Sequence, residues 1–333
     1  MWIKDFLHSR TQVVVVDGEE SDVAPVTSGV PQGTVLGPAL FLVYINDLPD
    51  GLVCTPRLFA DDCILYRVID SDADMELLQD DLLRLETWER EWAMEFAAEK
   101  CQVLTITRKF KRNIKVKDYK IHGHTLDRVD SAKYLGVILD SKLTFGKHIN
   151  SICKKAHSTR QFLQRTLSHC DRRSKVQAYT TFVRPIVEYA STVWDPHTWN
   201  KSQVNQVEAV QRKAARFVCN NWRRTSSVSA MMEQLQWLSL QERRARARLY
   251  MLHSIYHNTV AIPLRPLFMP STHPMPKRIT HVYFPPPVAP TQAHERTFMI
   301  AAPTMWNGLE AQMTLIQSPD AFRSAMATVS LTA

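Results

Sequence analysis

The sequence predicts an α+β protein on three observations. Over residues 1–140, β-prone runs recur in pairs about turn residues. From about residue 147 the pattern changes to apolar residues three and four apart, the mark of helices. Between 261 and 290, nine prolines interrupt any period and predict an irregular connector. The expected parts are 1–140, an antiparallel sheet with helices; 141–260, helical; and 261–333, a Pro-rich connector with a C-terminal segment.

The chain has 333 residues, enough for two or three modest cores. Its 45% hydrophobic content excludes a disordered protein. No apolar run has the length of a membrane span, so no membrane partner is expected. The N-terminus MWIKDFLHSR lacks the apolar core of a signal peptide. An intracellular protein, nuclear or cytoplasmic and not secreted, is therefore expected. Six scattered cysteines form no CxxC pair, which speaks against a zinc site or a disulfide framework. The net charge of +8 is unevenly placed: residues 1–100 carry 7 Lys/Arg against 20 Asp/Glu, and residues 101–333 carry 34 against 13. An acidic part suited to metals joined to a basic part suited to polyanions fits a nucleic-acid protein.

Residues 11–28 predict a hairpin: Gln12–Val16 runs out, Asp17-Gly18 turns, and Ser21–Thr27 returns. It delivers the loop SGVPQG at 28–33. There Gly29 and Gly33 permit unusual φ and close backbone approach, Pro31 stiffens, and Gln32 offers a donor and an acceptor. Such a loop can lie flat against a base pair. Pro38 suits a first helical turn. Leu40, Phe41, Tyr44, Ile45 and Leu48 predict an amphipathic helix ending before Pro49.

Residues 57–68, RLFADDCILYRV, predict a second hairpin with Asp61 and Asp62 at its bend. Adjacent carboxylates on a tight turn repel one another, and a divalent cation relieves that repulsion. Mg²⁺ favours one or two carboxylates with phosphate oxygens and water. The residues thus read as either a metal-assisted phosphoryl-transfer centre or an ordinary solvated acidic turn.

Residues 72–98 predict one helix, with Met75, Leu78, Leu82, Leu85, Trp88 (or Glu89 in strict register) and Trp92 inward and acidic residues outward. Cys101–Thr107 predicts a strand just after Lys100. The stretch 108–117, with six basic side chains, fits a phosphate-contacting hairpin or a solvated loop. KYLGVILD at 133–140 predicts a single strand bent at Gly136. Helices are predicted over 147–169, 172–190, 201–220 and 229–258. Their Lys/Arg faces suit either phosphate or water.

SGVPQG…LGP…YINDLP followed by FADD resembles the central palm motifs of the reverse transcriptases of LINE-type (non-LTR) retrotransposons. The resemblance implies a partial polymerase palm over 1–140 and a helical thumb and connection over 141–260. It implies that Ser28, Gly29, Pro31, Gln32 and Gly33 position the template base and incoming nucleotide. Phe59 and Ala60 would lie under the primer terminus, and Asp61 and Asp62 would bind Mg²⁺ (or Mn²⁺). MEFAAEKC resembles the family pattern Met-x-Phe-Asn-x-x-Lys-Cys, departing from it at Ala97, and so implies that Lys100 assists the departing pyrophosphate. KYLGVILD resembles the primer grip, through Tyr134, Leu135, Gly136 and Val137. RPIVEY at 184–189 and Trp194-Asp195-Pro196 resemble the family's thumb, where Pro185 and Trp194 read as packing residues. FMIAAPTMWNGL at 298–309 resembles the end of the family's reading frame.

The implied activity is RNA-directed DNA polymerisation by two-metal phosphoryl transfer. Its partners would be an RNA template, a DNA primer and deoxynucleoside triphosphates. Two metals need a further carboxylate from a separate strand, and in the family that residue lies upstream of the position equivalent to Met1. Within 1–27, Asp5 is expected in a helix, Asp17 in a turn and Asp22 in the returning strand. The chain is therefore expected to be a C-terminal portion without fingers, extending primers negligibly alone. The alternatives are a non-enzymatic nucleic-acid-binding remnant using the basic helices, and a mobile-element fossil without function.

Overall fold

A computed structural model of the chain describes residues 2–107, 117–196, 200–262, 283–285, 297–329 and 331. The chain divides into two units, one of residues 1–103 and 109–129, the other of 104–108 and 130–333. Most of the basic stretch 108–117 and of the Pro-rich stretch 261–290 lies outside the described residues.

In the first unit, α1 (Trp2–Leu7) precedes a long hairpin. β1 (Arg10–Gln12) pairs with β4 (Ala24–Val26), and β2 (Val15–Val16) pairs with β3 (Glu19–Glu20). Asp17 and Gly18 both take positive φ, 53° and 90°, which makes the primed turn that matches strand twist. Asp5 lies in α1 and Asp17 in this turn, as expected, whereas Asp22 falls between β3 and β4.

α2 (Leu36–Ile45) is shorter than predicted and ends in a turn where Leu48 N–H bonds to Ile45 O. It is apolar on every face, so Leu42 and Val43 are exposed while Ile45 is buried. β5 (Thr55–Phe59) and β6 (Asp62–Tyr66) then form the predicted hairpin. α3 (Asp72–Trp92) starts at a capping box of Ser71 with Asp74 and stops at Ala93, whose φ of 50° is left-handed. The predicted continuation to 98 is therefore absent: Met94 N–H turns back to Glu89 O. Acidic residues do not all face outward either, since Asp81 and Glu89 are buried.

A short 3₁₀ turn (Ala98–Lys100) leads into β7 (Gln102–Leu104). Beyond it come β8 (Lys120–Ile121), paired with β9 (His124–Thr125), and β10 (Asp127–Val129). One core gathers Phe41 and Ile45 of α2, Leu58, Cys63 and Leu65 of the hairpin, Leu82 and Leu85 of α3, and Cys101 and Val103. Each fully buried Leu contributes roughly 1.5–3 kcal/mol by leaving water.

The second unit opens with β11 (Ser131–Tyr134) and β12 (Val137–Asp140), paired antiparallel with Tyr134 opposite Val137. KYLGVILD is thus two strands and not one bent strand. Leu135 and Gly136 both take positive φ, 44° and 83°, and reverse the chain in two residues.

Helices follow: α4 (Gly146–Thr166), α5 (Arg172–Ala178), α6 (Ser191–Trp194), α7 (Lys201–Val218), α8 (Val228–Gln234) and α9 (Leu240–Tyr256). The predicted helix 172–190 is broken by a π-helical turn at Tyr179–Val183 and a 3₁₀ turn opened by Arg184-Pro185. The predicted helix 229–258 is split at Gln236, which has φ of 54°. Trp194 is fully buried and packs as expected. Val137, Ile149, Tyr179, Val210 and Leu240 belong to one core. The far half of α9 enters a second core with α10 (Phe298–Asn307), α11 (Ala311–Thr314) and α12 (Pro319–Met326), centred on Trp306 and Phe322. Among the described residues, no helix is long and apolar enough to cross a membrane.

Candidate active site

Strand alternation decides what the second hairpin presents. Leu58 and Cys63 form one cross-strand pair and reach into the core, and the next pair, Phe59 and Asp62, faces the other way. Only Ala60 and Asp61 make the bend, with Ala60 held at φ 51°. Asp61 and Asp62 are both exposed, and neither carboxylate has an ion-pair or hydrogen-bond partner among the described residues. Phe59 is 62% exposed beside them.

The base of the hairpin is fastened from α3. The fully buried Asp81 carboxylate accepts Cys54 N–H at 2.6 Å and Val53 N–H at 2.9 Å, and pairs with Arg84 at 2.5 Å. Burial alone would raise its pKa, but the amides of Cys54 and Val53 hold it below the ordinary value. At the exit, Arg67 binds Asp74 at 2.8 Å. Asp74 falls to about 2 through the Ser71 hydroxyl and Arg67.

Lys100 arrives on a segment tied to α3. Glu89 accepts Phe96 N–H at 2.9 Å with one oxygen and meets His122 Nε2 at 2.6 Å with the other. Cys101, next to Lys100, lies in the same core as Cys63, next to Asp62. Burial, and then the proximity of Cys101, pushes the Cys63 thiol up. The Lys100 segment and the aspartate hairpin thus share one core through Cys101 and Cys63, with Lys100 itself exposed.

The SGVPQG loop is organised by three residues outside it, Arg10, Thr34 and Gly37, which carry no signal in the sequence. Arg10 donates to Ser28 O at 3.1 Å and Gly29 O at 2.6 Å. Gly37 leaves no room for a side chain: a Cβ there would lie 2.8 Å from Pro31 O. Thr34 Oγ1 donates to Pro31 O and accepts Gly37 N–H, closing the loop onto α2. Gly29 and Gly33 take φ of 74° and 76°, which residues with a Cβ avoid. Gln32 and Gly33 are exposed, and Pro31 is half-buried. Loop and hairpin stand on one core through α2, but among the described residues no hydrogen bond joins them. Tyr134, Leu135 and Gly136 belong to the other unit, at the β11–β12 turn.

The donor chemistry fits a hard divalent cation: two adjacent, exposed, unpartnered carboxylates supply oxygen ligands and a surplus of negative charge. Among the described residues, no group of three or more His, Cys, Asp or Glu is placed to hold a metal. Asp81, overlooked in sequence, had left a signal. It stands three residues after Leu78 and four before Leu85, within the buried stripe.

Residues 1–139 match the family model described as reverse transcriptase (RNA-dependent DNA polymerase). Over 232 residues, 65% of the chain, it is 31% identical to 24% of the RNA-directed DNA polymerase from mobile element jockey of Drosophila melanogaster. It is 29% identical to the probable RNA-directed DNA polymerase from transposon X-element of the same organism, over 65% of this chain and 24% of that one. A Pol polyprotein from the type-1 retrotransposable element R1 of Nasonia vitripennis is 27% identical, over 63% of this chain and 65% of that one. The chain spans about a quarter of the length of the first two relatives.

Proposed function

We propose that this chain supplies the metal-binding hairpin of an RNA-directed DNA polymerase of the LINE (non-LTR) type, a reading supported by the match of residues 1–139 to the reverse transcriptase family and by the likeness to mobile-element polymerases. Its substrates would be a DNA primer on an RNA template and deoxynucleoside triphosphates. The observation that carries this reading is the exposed Asp61–Asp62 pair at the hairpin bend, with no partner among the described residues, on a hairpin that shares a core with the segment after Lys100. Asp61 and Asp62 would hold Mg²⁺ or Mn²⁺, which when bound makes the primer 3′-hydroxyl a better nucleophile and offsets phosphate charge. Lys100 places an ammonium where negative charge develops on pyrophosphate. Ser28, Gly29, Pro31, Gln32 and Gly33 present a glycine-bracketed backbone and one amide to the nascent base pair. Phe59 and Ala60 offer an apolar seat beneath the primer end. Tyr134, Leu135 and Gly136 would hold the primer strand, and exposed Lys/Arg of the helices that follow would meet phosphates, α9 excepted, because its Arg244, Arg246 and Arg248 are buried.

Primer extension on poly(rA)/oligo(dT) with Mg²⁺ or Mn²⁺ tests this directly. Two carboxylates are too few to organise a two-metal centre, so the chain by itself is expected to extend the primer negligibly while still binding the duplex. Strong extension that survives Asp61→Ala and Asp62→Ala would overturn the assignment. Strong extension abolished by either would overturn the need for a further carboxylate.

A further inference from the structure

The β11–β12 turn is held in place from 54 residues away in sequence. Leu135 sits at φ 44°, a conformation that residues with a Cβ adopt rarely and keep only when their surroundings impose it. Tyr189 imposes it. Its hydroxyl donates to Leu135 O at 2.9 Å, and its ring lies so close to Gly136 that a Cβ there would be 3.2 Å from Cε1. Tyr189 is in turn rigidly mounted. Its N–H bonds to Pro185 O at 3.0 Å, and its carbonyl accepts Nε1–H of the buried Trp194 at 2.7 Å. The adjoining Glu188 is gripped by Arg243 at 3.1 Å, and Asp195, next to Trp194, binds Arg244 at 3.0 Å and Arg248 at 2.6 Å. Yet the Tyr189 side chain is mostly exposed beside the exposed Gly136, an unusual use of so much anchoring.

We propose that Tyr189 is a positioning residue that fixes the Leu135–Gly136 turn in the form that meets the primer strand. This rests on the primer-holding reading of that turn. The RPIVEY and WDP stretches then serve as the mount for this one aromatic contact.

The test compares the full chain with Tyr189→Phe and Tyr189→Leu. Amide hydrogen exchange is read at Gly136 and Val137. Dissociation constants are read for a recessed DNA primer on RNA and for single-stranded RNA. Tyr189→Phe keeps the ring and loses the hydrogen bond. It is expected to speed exchange at the turn by about three- to tenfold, to weaken recessed-duplex binding several-fold, and to leave single-strand binding and the unfolding midpoint unchanged. Tyr189→Leu should do more in both readouts. Unchanged exchange in Tyr189→Phe would overturn the positioning role. Faster exchange with unchanged duplex affinity would show that the turn is not the primer contact, and would overturn the primer-holding reading while keeping the Tyr189–turn link.

Discussion

Replacing Asp81 by Asn is expected to loosen the aspartate hairpin from its base. The Asp81 carboxylate is fully buried and satisfies two backbone donors, Val53 N–H and Cys54 N–H, as well as Arg84. Asn keeps the shape but turns one oxygen into an NH₂ that must face a backbone donor. A hydrogen bond to a charged group is worth about 1.5–3 kcal/mol, and a buried donor left unpaired costs about 1–3 kcal/mol. Losing one such bond and weakening a second gives about 2–4 kcal/mol for Asp81→Asn. Asp81→Ala orphans both amides and should cost about 3–5 kcal/mol.

Hydrogen exchange over residues 53–59 reads the local loss, and urea unfolding reads the total. The pH dependence carries the same signature. The Asp81 pKa is depressed in the folded chain, so its stabilisation is complete above the unfolded value, near 3.9, and fades as pH falls through the folded one. Asp81→Asn should therefore flatten part of the acid limb of the stability curve. An Asp81→Asn chain with wild-type exchange at 53–59 and stability within about 0.5 kcal/mol would refute this reasoning.

Three further outcomes follow from the same structure. Gly37→Ala should force Pro31 to shift and cost about 1–3 kcal/mol, read as a lower unfolding midpoint together with weaker primer–template binding. Asp140 accepts N–H from Lys142, Thr144 and Phe145 and the Thr144 hydroxyl, all within 3.1 Å, so Asp140→Ala should cost about 2–4 kcal/mol in urea unfolding and free the start of α4. His148 is buried and accepts Ile138 N–H at 3.3 Å through Nδ1. Burial holds its pKa below the ordinary value, so stability should fall as pH drops below about 6.5, and His148→Gln should reduce that slope in pH-dependent unfolding.

Sequence and structure agree best where local chemistry is decisive. Asp17-Gly18 must turn, FADD between two apolar runs must bend, and both do. Disagreement arises where distant residues decide. Nothing near Leu135 announces a positive φ in an aliphatic residue; the cause is Tyr189, far along the chain. Ala93 ends α3 where a good helix former would continue it, because Glu89 and the core beneath Phe96 draw the chain aside. The carboxylate of Asp81 reads as a surface charge until the amides it satisfies are seen, whereas Glu89 is buried as strict helical register allows. The candidate site was legible in its exposed groups, Asp61, Asp62, Gln32 and Lys100. It was illegible in the buried ones that hold them, because a buried carboxylate and a solvated one look alike in sequence.

The most direct test is paramagnetic line broadening by Mn²⁺ in solution. Amide signals from Phe59 to Cys63 should be lost selectively, with weaker loss near Lys100 and Cys101, and all of it should be abolished by the double substitution Asp61→Asn and Asp62→Asn. Broadening centred elsewhere, or unchanged in that variant, would contradict the claim that this bend is where the protein takes its metal.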